Sequence, residues 1–237
     1  MSAMGKILDG VKLIIFDVDG VIFDIVDAIR TTVEEGIEKY KLKTDPQEAM
    51  RQVAHLLEIV QSIPFPKIIL NSYDLLNIEM LNEYTLLTKL RIAASFYSSF
   101  RAKKESCQLF PGIEELIKGL HKKGYKLAIL SNNKKSYVIE ALDKQELTKY
   151  FDEIIGFNEV EKTKPDPEGL IKLMQKFKVN PTQCIFIGDM VTDILAGKAA
   201  NIRTISVSSG LVAKEKLINE NPALIVNDIM ELKSYLI

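Results

Sequence analysis

The chain has 237 residues, 47% of them apolar and 27% charged, which is too long for a minimal domain and sufficient for a substantial core. This composition excludes a disordered chain. Lys plus Arg (31) nearly balances Asp plus Glu (32), so the net charge of −1 implies no strong nucleic-acid or acidic-membrane partner.

In chain order, the first element is a β-rich apolar run at Lys12–Asp17 (KLIIFD). From about Asp24 to Ser106 no convincing strand follows, and the pattern reads as helix at Asp27–Tyr40, Pro46–Gln61 and Glu83–Arg101. Asp45–Pro46 has the form of an N-cap followed by proline at the first helical position, and Pro64–Phe65–Pro66 reads as a turn. The basic stretch Lys89–Lys104 is amphipathic, with Leu90, Ile92, Ala93, Phe96 and Phe100 expected to be buried. Pro111–Lys122 carries a helical stripe of Ile113, Leu116, Ile117 and Leu120, and Gly124 follows as a stop. Strands are then expected at Lys126–Leu130 and Glu153–Ile155, and a helix at Pro167–Phe177 with Leu170, Ile171, Met174 and Phe177 on its apolar side. Cys184–Ile187, Thr204–Val207 and Leu224–Val226 complete the strands.

These runs are almost wholly apolar, as in strands buried on both faces of a parallel sheet. Strand alternating with helix predicts an α/β protein with a doubly wound, parallel-sheet (Rossmann-like) core. The helical block breaks that alternation and predicts an inserted all-helical domain. The expected division is a core of residues 1–23 and 107–237 and an insertion of 24–106. Cys107 and Cys184 match no metal-ligand spacing and read as buried structural thiols in a reducing compartment. His55 and His121 have no partners that suggest a metal site and read as structural or solvated. Met1 to Gly10 lacks an apolar segment fit for a signal peptide, and no run approaches the roughly 18 apolar residues of a membrane helix. A cytoplasmic protein without membrane contact is expected; oligomeric state is not legible.

Sites in open α/β sheets form beyond the carboxyl ends of strands, so the residues after each strand carry the chemistry. Asp17-Val18-Asp19-Gly20 follows the first, Ser131-Asn132-Asn133 the second and Gly188-Asp189 through Asp193 the fourth. Lys162-Thr163-Lys164-Pro165 comes shortly after the third. Residues i and i+2 leaving a strand project to one side, so Asp17 and Asp19 can face one ligand. Gly20 permits a sharp turn. Each group alone has a structural explanation: a turn, a helix cap, a solvated lysine. Together they supply hard oxygen donors, which suit Mg²⁺, and a lysine and hydroxyl that could neutralise a phosphoryl group.

With these motifs in this order, the chain resembles the haloacid dehalogenase-like hydrolase superfamily. Asp17-Val18-Asp19-Gly20-Val21 is similar to its first motif, Ser131 to its second, Lys164-Pro165 to its third, and Gly188-Asp189 through Asp193 to its fourth. The insertion resembles the C1 helical cap of the phosphoglycolate phosphatase-like branch, as does Ala196-Gly197-Lys198-Ala199-Ala200. The resemblance implies a phosphatase in which Asp17 is the nucleophile, forming an aspartyl-phosphate, and Asp19 the general acid/base. It implies Mg²⁺ held by Asp17, the backbone carbonyl of Asp19 and Asp189, with Asp193 a ligand or an orienting residue. Ser131 and Asn132 would bind the transferring group, and Lys164 would neutralise it. The partner would be a small phosphorylated metabolite. An acid at position 19 disfavours the dehalogenase and phosphonatase branches, while a phosphosugar mutase of the β-phosphoglucomutase type and a non-catalytic binding role stay open.

Overall fold

The computed structural model describes residues 7–61, 79–104 and 106–237, and the side chains of all but 54–61 among them. The expected Pro64–Phe65–Pro66 turn and the side chain of His55 therefore lie outside the described residues. Six strands form one sheet: β1 Leu13–Phe16, β2 Lys126–Leu130, β3 Glu153–Ile155, β4 Cys184–Gly188, β5 Arg203–Val207 and β6 Leu224–Val226. Every neighbouring pair is parallel, in the order β3-β2-β1-β4-β5-β6. The chain runs outward from β1 through β2 to β3, then returns to start β4 on the other side of β1. The switch point of the topology thus lies between β1 and β4, where a crevice opens beyond the strand ends.

Nine α-helices are described: α1 Val26–Tyr40, α2 Pro46–Gln61, α3 Leu86–Lys104, α4 Ile113–Lys122, α5 Lys135–Lys144, α6 Glu168–Phe177, α7 Val191–Ala199, α8 Lys214–Asn219 and α9 Ile229–Leu236. Leu13 and Ile15 of β1, Ala128 and Leu130 of β2, and Cys184 and Phe186 of β4 form one core with Leu170 and Leu173 of α6 and Ala196 of α7. The alternate positions Ile14, Phe16, Leu127, Ile129, Ile185 and Ile187 point the other way and are just as fully buried. Helix α4, which packs on β2 and α9, buries Ile113, Leu116, Ile117 and Leu120, the stripe expected from sequence. Burial on both faces explains why the strands carry no polar alternation.

The chain divides into two compact units, Met1–Asp24 with Leu109–Ile237, and Ile25–Gln108. The first holds the whole sheet. Its chain leaves and returns side by side: Phe23 bridges Leu109, and the Phe110 N–H donates to Ile22 O at 3.0 Å. In the second unit Asp45 caps α2, its Oδ2 accepting from the N–H groups of Gln47 and Glu48, both at 3.1 Å.

Two helical stripes differ from the sequence expectation. In α3, Ile92 is buried, but Leu90 is 46% exposed and Ala93 is also exposed. The packed side is set by a cluster of Leu42, Leu81 and Ile92 with Phe96 and Tyr84, and it turns positions 90 and 93 outward. This helix also begins at Leu86, because Thr85 Oγ1 accepts the Thr88 N–H and so closes its first turn. In α6 the buried positions are Gly169, Leu170 and Leu173, while Ile171 is exposed. Cys184 is buried, Cys107 only half-buried, and neither forms a disulfide.

Candidate active site

The three carboxylates Asp17, Asp189 and Asp193 are buried and meet at the switch point, with ligand-capable oxygens all within 4.8 Å of one another. Asp17 is the residue after β1, and its N–H donates to Ile187 O of β4 at 2.8 Å, so the two strand ends are tied together. Lys164 reaches in from the loop before α6. Its ammonium bonds Asp17 Oδ1 at 2.9 Å and Asp193 Oδ1 at 2.7 Å, above the ring of Phe186 at 5.6 Å. Burial disfavours charge on this lysine, yet Asp17 and Asp193 outweigh it and hold the pKa above the ordinary lysine value.

The carboxylates show the reverse imbalance. Burial, with Asp193 adding to it, pushes Asp17 up to about 7 against the pull of Lys164. Burial, then Asp193 and Asp17, holds Asp189 well above the carboxylate range. Burial is the main cause in both cases, and the neighbouring acids add to it: among the described residues three buried carboxylates share one ammonium, so negative charge is in excess. Asp189 Oδ1 is buried and makes no hydrogen bond among the described residues. Hard oxygen donors, surplus negative charge and an unsatisfied carboxylate oxygen fit a divalent cation.

Asp193 stands apart from the other two. Its Oδ2 accepts the N–H groups of Asp189 at 3.1 Å and Met190 at 2.9 Å, while its Oδ1 takes Lys164. Sitting in the first turn of α7, it ties the loop after β4 to that helix and fixes the lysine. Two glycines leave room for Asp189. Gly20, at φ +80°, and Gly210 both approach so closely that a Cβ on either would collide with Asp189 Oδ2.

Ser131 follows β2 and is buried. Its Oγ accepts from the Asn133 N–H at 3.1 Å and from Asn133 Nδ2 at 3.2 Å. Asn132 spends its side chain on the backbone of Lys164: Oδ1 accepts the Lys164 N–H at 3.2 Å and Nδ2 donates to its carbonyl at 3.4 Å. Glu168, opening α6, accepts the N–H groups of Glu161 at 3.0 Å and Lys162 at 2.9 Å and anchors the same loop.

All seven residues singled out from sequence thus belong to one end of one sheet. Asp17, Lys164, Asp189 and Asp193 are in direct contact or within ligand spacing, Asn132 supports Lys164, and Asn133 links Ser131 to Asp19 through Nδ2 to Asp19 Oδ2 at 2.7 Å. Asn133, Gly210 and Glu168 were given no role in the site from sequence. Asn133 stands two residues past Ser131, the same spacing that paired Asp17 with Asp19, and that signal was available. Gly210 follows β5, a strand end whose loop holds no carboxylate or amide to draw notice.

The family model for haloacid dehalogenase-like hydrolases matches residues 14–207, a span that contains all seven residues singled out from sequence. The chain belongs to that family. It is 28% identical to the phosphoglycolate phosphatase of Pseudomonas fluorescens strain Pf-5 over 98% of this chain and 83% of that one. It is 29% identical to the phosphoglycolate phosphatase of Pseudomonas syringae pv. tomato over 93% and 78%. Among solved structures, a haloacid dehalogenase-like family hydrolase of Streptococcus pneumoniae superposes with TM-score 0.69 at 20% identity, covering 96% of this chain and 99% of that one. A protein of Haemophilus somnus named as a predicted phosphoglycolate phosphatase gives TM-score 0.72 at 20% identity over 95% and 97%. These structural likenesses establish the α/β fold. Among the described residues no helix is long and apolar enough to cross a membrane.

Proposed function

We propose that this hydrolase is a Mg²⁺-dependent phosphatase that cleaves a small soluble phosphate monoester through an aspartyl-phosphate on Asp17, with phosphoglycolate the first ester to test. The observation that carries the reading is the buried Asp17 carboxylate at the end of β1, bonded to Lys164 and grouped with Asp189 in an anion-rich cluster at the strand ends. The curated relatives reported above, named phosphoglycolate phosphatases, support the substrate class.

In this reading an Asp17 oxygen attacks phosphorus and the bond to the ester oxygen breaks. Asp19 gives its proton to that departing oxygen. A water then attacks the phosphorus of the aspartyl-phosphate and passes a proton to Asp19, and the bond to Asp17 breaks to release phosphate. Lys164, held by Asp193 and by the Asn132 clamp on its backbone, neutralises charge on the transferring group. Ser131, whose oxygen already accepts two N–H groups, donates its own proton to that group. Asp17, Asp189 and the Asp19 carbonyl would hold Mg²⁺. When bound, the ion supplies positive charge opposite the phosphoryl oxygens. With both oxygens engaged by Lys164 and the backbone, Asp193 serves in this reading to orient the site.

The test is phosphate release from a panel of phosphorylated metabolites, with the wild type and Asp17→Asn compared. The wild type is expected to release phosphate from phosphoglycolate or a similarly small ester, to lose activity in EDTA and to regain it with Mg²⁺, with Ca²⁺ a poor substitute. Asp17→Asn should fold normally and be inactive. Isomerisation of a sugar phosphate without phosphate release, or full activity after exhaustive chelation, would overturn the proposal.

A further inference from the structure

Asn133 touches two groups of the site at once. Its Nδ2 donates to Asp19 Oδ2 at 2.7 Å and to Ser131 Oγ at 3.2 Å, and its backbone N–H donates to the same Oγ at 3.1 Å. Chemistry fixes which end of this amide faces Asp19. Asp19 Oδ2 acts as the acceptor, so the NH₂ end meets it, and 2.7 Å is a short contact for an amide donor. Asn133 is itself held: the Ser131 N–H donates to Ile155 O at 3.0 Å, and the Phe157 N–H donates to Asn133 O at 2.9 Å. The amide therefore projects from a turn pinned at both ends to β3 and the loop that follows it. Asp19 lies past the end of β1, where its backbone bridges Phe23, and is half-buried. Its carboxylate needs a restraint if one of its oxygens is to meet a substrate oxygen repeatedly in the same geometry.

We infer that Asn133 is the positioning residue for Asp19: its amide holds Oδ2 and thereby fixes the orientation in which the carboxyl group meets the leaving-group oxygen. The inference rests on the acid/base reading of Asp19 proposed above. It also separates two jobs within one turn, Ser131 serving the phosphoryl group and Asn133 serving the acid.

Leaving-group dependence tests this without reference to overall damage. The constant kcat/KM reports events up to departure of the alcohol, and p-nitrophenolate departs without needing a proton, whereas an alkoxide does not. For Asn133→Ala, kcat/KM on 2-phosphoglycolate, or on glycerol 2-phosphate should that ester be refused, is expected to fall about 10- to 100-fold. On p-nitrophenyl phosphate it should fall less than about 3-fold. Asn133→Asp, nearly isosteric but unable to donate, should show the same split and serves if the alanine variant melts early. Equal losses on both esters in the folded variants would overturn the inference, since they would mark Asn133 as a phosphate-binding or merely structural residue. Asp19→Asn is measured beside them. If that variant also loses both esters equally, the acid/base reading has failed; if it shows the split and the Asn133 variants do not, the failure belongs to Asn133 alone.

Discussion

At the scale of single residues the site is dominated by an excess of buried negative charge, and this sets its response to pH and metal. Burial, reinforced by Asp193, raises Asp17 from 3.8 to about 7, and Asp189 is raised for the same reasons. Between those values the native, metal-free protein keeps protons that the unfolded chain has released. These groups therefore stabilise the fold least at the upper end of that window, and stability falls as pH rises through it. A divalent cation competes with the same protons. The rise in Tm on adding MgCl₂ to EDTA-treated protein should accordingly be small near about pH 5 and larger at neutral pH. A Mg²⁺-induced shift that is constant across that range would contradict the coupling. Gly210 offers a second check on the same carboxylate, because a Cβ there collides with Asp189 Oδ2, whereas Gly124, at φ +85°, has open space around it. Gly210→Ala should raise the Mg²⁺ concentration for half-maximal activity about tenfold, the equivalent of about 1.4 kcal/mol of lost binding. Gly124→Ala should cost about 1–2 kcal/mol of stability through backbone strain and leave the Mg²⁺ requirement unchanged. Titrations of Mg²⁺ against activity, with thermal melts of each variant, separate the two effects.

At the scale of elements, each functional side chain inherits its position from a strand end or a helix start. Asp193 reaches the loop after β4 because it lies in the first turn of α7, where its carboxylate also faces the positive end of the helix. Lys164 is held from both sides of its loop, by Asn132 after β2 and by Glu168 at the start of α6. Beneath them the helices act through burial. Leu116 of α4 is fully buried, and its neighbour Glu115 points to solvent. Leu116→Ala should lower unfolding stability by about 2–5 kcal/mol, against less than about 0.5 kcal/mol for Glu115→Ala. Urea unfolding of the two variants measures the contrast, and a small loss at Leu116 would mean that the α4 contact with β2 can collapse around the cavity.

At the scale of the whole molecule, every site residue lies in the unit that contains the sheet, and none lies in Ile25–Gln108. That unit's own chain ends are already adjacent, through the Phe23–Leu109 bridge and the Phe110–Ile22 hydrogen bond. We therefore propose that the chemistry resides in the sheet unit and the choice of ester in the helical one. Replacing residues 25–108 by a short Gly/Ser linker should give a protein that melts cooperatively and keeps p-nitrophenyl phosphate turnover within about tenfold. Its selectivity among small phosphate esters should collapse. A linker protein that folds but is inactive on p-nitrophenyl phosphate would show that the insertion supports the reaction itself.

Much of this molecule was legible without coordinates because its strongest signals are local. Apolar runs such as KLAIL and CIFI are strands wherever a parallel sheet buries both faces, and all six lie within a residue or so of where the pattern puts them. Asp17, Asp19, Ser131 and Asp189 could be named in advance because each sits at or just beyond a strand end, and Lys164 and Asp193 because they lie in the segments that follow β3 and β4; strand ends converge by topology. The exposed faces of α3 and α6 could not be read in the same way. A helix with apolar residues on several sides has more than one candidate stripe, and only its neighbours decide which is buried: Leu42 and Leu81 select Ile92 over Leu90, and the sheet selects Leu173 over Ile171. The division of labour among the polar groups was likewise a tertiary matter. Asn132 and Asn133 are identical and adjacent in sequence, yet one clamps the backbone of Lys164 and the other holds Asp19. Hydrogen bonds between residues more than 30 positions apart have no periodicity to betray them. They exist only once the sheet has brought three strand ends within a few ångströms.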